Sequence, residues 1–161
     1  MIVAATSEQH RPMTEPITRH DPRLATWRTF LRAHARVVRE LEQELQADQG
    51  MALTDYDVLV QLAAADERRL RMSELADRLL LSRSGATRLV DRLVADGLVE
   101  RVMCESDRRG QWASLTDAGH ERLRQASPTH LSGVARHFLD RFTPEELPAL
   151  EGMLERVIAE R

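Results

Sequence analysis

Apolar positions along this chain recur at helical spacing in some stretches and alternate in others, and the changes of period mark out its elements. Leu24, Trp27, Leu31, His34, Val38, Leu41 and Leu45 follow one another at steps of three and four, the stripe of a long helix that ends before Gly50. Thr54, with Asp57 in the reciprocal capping position, predicts the start of a second helix whose apolar side is Tyr56, Leu59, Val60, Leu62 and Ala63. Ser73 predicts the cap of a short helix through Leu79, Leu80 and Leu81 a turn, and Ser82 the cap of another helix that Gly97 ends. Two short strands follow, within 98–103 and 111–115, around a polar turn at 105–110. Thr116 and Asp117 open a helix toward Arg141, with Pro128 expected to kink or break it into two limbs. Thr143, Pro144 and Glu146 form a strong helix start, and Leu147, Leu150, Met153, Leu154, Val157 and Ile158 share one face of the final helix.

The expected fold is mainly α with a small β-hairpin wing. Residues 1–22 carry Pro12, Pro16 and Pro22 without a sustained period and read as an N-terminal arm. The apolar stripes of the first and last helices need cover, and in a chain of 161 residues a second copy supplies it economically, so a homodimer is expected.

Composition narrows the function. No run approaches the ~18 apolar residues of a membrane span and the start does not resemble a signal peptide, so a cytoplasmic protein without a membrane partner is expected. Cys104 is the single cysteine, which removes an internal disulfide and a multi-cysteine zinc site. His130 and His137 lie ~10 Å apart along a helix, too far to share a metal ion without ligands from elsewhere such as His34 or His120. The chain has no G-x-S-x-G, G-x-G-x-x-G, P-loop or H-E-x-x-H pattern, so neither an enzyme nor a cofactor is expected.

Net charge is -3, unlike a general polyanion binder, yet the distribution is uneven. Between Arg68 and Arg92 stand Arg68, Arg69, Arg71, Arg78, Arg83, Arg88 and Arg92 against only Glu74, Asp77 and Asp91. All 23 basic residues are arginine; guanidinium suits bidentate phosphate and guanine contacts, but genomic base composition is the stronger reading of the bias, which carries little functional weight. Within 73–101, Leu75, Ala76 and Leu79 can pack on Leu89, Val90 and Leu93, which leaves Arg83, Ser84, Thr87, Arg88 and Arg92 on other faces. That is the order of a helix-turn-helix, and the hairpin behind it makes a winged one that binds double-stranded DNA. A helical protein-interaction module is the alternative; it would show no salt-dependent DNA affinity.

The stretch MSELADRLLLSRSGATRLVDRLVADGLVER, the wing ESDRRGQWASLT and the following DAG resemble the MarR (multiple antibiotic resistance regulator) family, from about Leu24 to the C-terminus. The resemblance implies a ligand-responsive repressor that binds a pseudo-palindromic operator as a homodimer. Its domain would run over 23–161, with the winged helix-turn-helix at 54–115 and dimerisation helices at 23–49 and 116–161. Ser82, Arg83, Ser84, Thr87 and Arg88 would face the major groove, with Ser73 and Arg92 in the same DNA-binding set. Arg109 would enter the minor groove, oriented by Asp107, with Arg108 on a phosphate. A small aromatic or phenolic effector is also implied, and Trp27, Phe30, Leu31 and His34 with Tyr56 could line its cleft, beside Arg28 or Arg36 for an anion. Each has a plain packing alternative. Cys104 raises the further alternative of a redox-responsive regulator, with Arg101 and Arg108 near enough in sequence to lower its pKa.

Overall fold

The computed structural model describes residues 18–103 and 111–159. Its elements are α1 (Leu24–Gln49), α2 (Leu53–Ala63), β1 (Arg69–Arg71), α3 (Met72–Arg78), α4 (Arg83–Ala95), β2 (Val99–Met103), β3 (Gln111–Leu115), α5 (Asp117–His137) and α6 (Glu146–Ile158). The strands form one antiparallel sheet in the order β1-β3-β2. The chain falls into two compact units, one up to His34 and one from Ala35 onward. Among the described residues no helix is long and apolar enough to cross a membrane.

In the second unit Leu45, Leu59, Leu62, Leu75, Leu93, Val58, Val90 and Val99 are fully buried. Each such side chain contributes roughly 1.5–3 kcal/mol by leaving water. The core thus gathers α2, α3, α4 and the sheet, and the C-terminal half of α1 and α5 close it with Leu41, Leu45 and Ala126. This arrangement anchors the inner face of α4 and leaves its outer face free.

Several helix starts differ from the sequence expectation. Thr54 and Asp57 do not cap α2: the helix begins at Leu53, whose N–H donates to Glu42 Oε2 of α1 at 2.7 Å, and burial of Met51 and Leu53 sets the entry. Ser73 does not cap α3, because β1 runs straight into the helix and Arg71 occupies the cap position, with Ser73 exposed in the first turn. Ser82 and Thr116 do cap α4 and α5, accepting from Gly85 N at 3.1 Å and Gly119 N at 3.0 Å. Ahead of α6, Thr143 and Glu146 make both reciprocal capping bonds, 2.8 and 3.4 Å, although regular helix starts only at Glu146.

Pro128 does not divide α5, which runs unbroken to His137 and is followed by a 3-10 turn at Leu139–Arg141. An interior proline costs about 3 kcal/mol, and contacts on both sides offset it. Ser127 meets Tyr56 Oη at 3.4 Å, Thr129 meets Gln49 Nε2 at 3.2 Å, and Glu44 holds Arg136 and His137 at 2.8 Å each. β1 was not visible in the sequence pattern. It pairs Leu70 with Ala113 and follows a turn in which Glu67 and Arg68 both take positive φ, 52° and 54°.

Candidate nucleic-acid interface

α4 begins where the Leu79–Leu81 turn releases the chain from α3, and Leu80 makes that turn at φ 54°. Once Ser82 has capped the helix, the period of 3.6 does the rest. Ala86, Leu89, Val90 and Leu93 are buried, and Arg83, Ser84, Thr87 and Arg88 are exposed on the opposite side. Ser82 and Ser84 hydroxyls lie 3.2 Å apart, and Thr87 Oγ1 donates to the Arg83 carbonyl at 2.8 Å. Arg83 and Arg88 make no ion pair with any described residue. Two uncommitted guanidinium groups beside small hydroxyl side chains can bind phosphates or base edges.

Arg92, one of the expected contact residues, is held differently. It pairs with Asp55 of α2, which raises the guanidinium pKa and ties the last turn of α4 to the core. The sequence offers no periodic relation that would have linked the two.

The wing rises from α4 through Gly97, which takes φ 73° while Leu98 N–H bonds back to Leu93 O at 2.9 Å. β2 and β3 pair from Val99 opposite Leu115 out to Met103 opposite Gln111. Cys104, Asp107, Arg108 and Arg109 lie outside the described residues. At the wing root, Arg101 donates to Asp91 Oδ1 of α4 at 2.7 Å and to Gln111 Oε1 of β3 at 2.6 Å. On the β1 side, the Trp112 ring stacks with the guanidinium groups of Arg69 and Arg71, centred 5.2 and 5.1 Å away.

Of the expected ligand residues, Trp27, Phe30 and His34 form a row in the first unit, with ring centres 5.8 and 6.3 Å apart. Trp27, Phe30 and Leu31 are exposed there. Tyr56 belongs to the core of the second unit, its ring 4.4 Å from that of His130. His130 Nδ1 is buried without a hydrogen-bond partner among the described residues, and burial pushes the ring's pKa down.

Residues 49–110 match the model of the MarR family. Among solved structures, the chain is similar to Sco3205, a MarR family transcriptional regulator of Streptomyces coelicolor in complex with DNA. That similarity has 38% identity and a TM-score of 0.82, over 89% of this chain and 90% of that one. AbsC, a MarR family regulator of the same organism, is 37% identical with a TM-score of 0.81, over 90% of this chain and 96% of its own. The transcriptional repressor MprA of Escherichia coli K12 is 38% identical over 80 residues, 50% of this chain, so the match spans about half (46%) of MprA.

Proposed function

On the premise that this chain belongs to the MarR family of transcriptional regulators, we propose that it is a ligand-responsive repressor binding a pseudo-palindromic DNA operator as a homodimer. The observation that carries the reading is the outer face of α4, where Arg83 and Arg88 have no carboxylate partner among the described residues and stand beside exposed Ser84 and Thr87. In a helix-turn-helix this face enters the major groove. Ser73, exposed at the start of α3, reaches the flanking phosphates. The family resemblance assigns Arg109 to the minor groove, where a narrow groove concentrates negative potential, with Asp107 to orient it and Arg108 for a phosphate; all three lie outside the described residues.

The test is a fluorescence-anisotropy titration on the duplex that the wild type enriches from a random pool. Arg88→Ala is expected to weaken binding by about 1–3 kcal/mol if it reads a base, or to lower the salt slope by about one if it holds a phosphate. Arg109→Ala is expected to lose affinity as well. Unchanged binding in both, across salt concentrations, contradicts the assignment.

The effector reading rests on the first unit. The exposed row of Trp27, Phe30 and His34 on α1 stands on the same helix as the Arg28 guanidinium, an aromatic surface near a cation that suits an aromatic carboxylate. In a Trp112→Phe background, such a ligand is expected to quench Trp27 and to lower DNA affinity; no saturable quench across a panel of aromatic acids contradicts it.

A further inference from the structure

Beyond the apolar core that holds Val99 of β2 with Leu89, Val90 and Leu93 of α4, the Arg101 side chain bonds the wing to the outer face of α4. Arg101 stands on β2 opposite Ala113, which makes Gln111 its diagonal neighbour on the same face of the sheet. Its guanidinium reaches Gln111 Oε1 at 2.6 Å and, on α4, Asp91 Oδ1 at 2.7 Å, with the Thr87 carbonyl oxygen 3.5 Å away. Thr87 and Asp91 lie one helical turn apart, so Arg101 grips the same stretch of α4 that carries Arg88. The wing root has no other described ion pair to the helix.

We propose that Arg101 is a positioning residue for DNA recognition, a strut that fixes the wing root against α4 so that both meet the duplex in one geometry. The inference rests on the DNA-binding reading above. The fold itself has little need of the strut, because buried Ala86, Leu89, Val90 and Leu93 and the Arg92–Asp55 pair already hold α4. Asp91 is 59% exposed, and ion pairs that open to solvent add little to stability. Pre-orientation, in contrast, bears directly on affinity, since each mobile group fixed on binding costs entropy.

The sign of one effect separates this role from the alternatives. Removing a carboxylate beside the DNA-facing surface strengthens phosphate attraction if nothing else changes, so electrostatics alone makes Asp91→Ala bind more tightly. The strut requires the opposite. The experiment measures affinity at several salt concentrations, and melting temperature alongside, for wild type, Asp91→Ala, Arg101→Met, Arg101→Lys and the Asp91→Ala/Arg101→Met double variant. The probe is the labelled duplex that the wild type enriches from a random pool.

Asp91→Ala and Arg101→Met are each expected to bind about tenfold more weakly, the scale of one charged hydrogen bond. The salt slope and melting temperature stay near wild type, and the double variant is no weaker than either single one. Arg101→Lys recovers part of the affinity through Asp91. Tighter or unchanged binding by Asp91→Ala overturns the proposal, and so does a fall of about one in the salt slope of Arg101→Met, which marks a direct phosphate contact. A wild type that enriches no sequence overturns the DNA-binding reading itself.

Discussion

Gly119 sits against the wing root so closely that a Cβ placed on it would lie 2.1 Å from the Leu98 carbonyl oxygen and 2.7 Å from Leu115 Cδ1. Thr116 draws the backbone into that contact, accepting from Gly119 N–H and donating to the carbonyls of Gly97 and Leu98 at 2.8 and 3.1 Å. Gly119→Ala is therefore expected to cost about 1–3 kcal/mol in urea denaturation, the range of an overpacked site. A loss below about 0.5 kcal/mol, the size of an ordinary surface change, contradicts this contact. Arg92 and Arg88 sit one turn apart on α4, yet Arg92→Ala is expected to lower DNA affinity less than Arg88→Ala, because Asp55 already engages Arg92. At this scale only part of what is local was legible: the expected caps at Thr54 and Ser73 do not form. The Ser82 and Thr116 caps could be read because their partners lie three residues on, whereas the Asp91–Arg101 pair spans a turn and a strand and has no periodic signature.

Among the elements, α5 carries a pH dependence of stability. His130 packs on Tyr56 of α2, and burial holds its pKa below the ordinary 6.5, so the folded state favours the neutral ring. A depressed pKa means that stability is complete above about 6.5 and falls as the pH drops through the folded value, because the unfolded chain takes up the proton first. Melting temperature is thus expected to fall as the pH drops below about 6.5, and His130→Phe to flatten that slope; a slope unchanged in the variant contradicts the assignment. Glu44 adds a separate loss in a more acidic window. Arg136 and then His137 lower its pKa from 4.5, so its contribution is complete above that value and disappears as the pH falls through the folded one. Element identity was readable from the period for all the long helices and both wing strands, with the caps helping at α4 and α5. β1 escaped because three residues are too few to alternate, and Pro128 misled because its cost is met by partners on α1 and α2 that no local pattern reveals.

For the molecule as a whole, what matters is what the outer surfaces need. Met153, Val157 and Ile158 of α6 are 55%, 82% and 79% exposed, and α6 buries no residue of its own. An apolar stripe of this kind fits cover by a second copy, so Val157→Asp is expected to shift the protein from dimer toward monomer in light scattering and to lose DNA affinity with it. A net charge of -3 with a local arginine excess over 68–92 suits a site-selective regulator more than a general DNA coat. Two copies presenting α4 to DNA across a two-fold axis would select a symmetric site, and enrichment of bound duplexes from a random pool measures that. Enriched inverted half-sites with centres roughly 34–36 Å, or one helical turn, apart are expected; failure to enrich any sequence, or enrichment of a single unsymmetrical site, would contradict the two-fold arrangement.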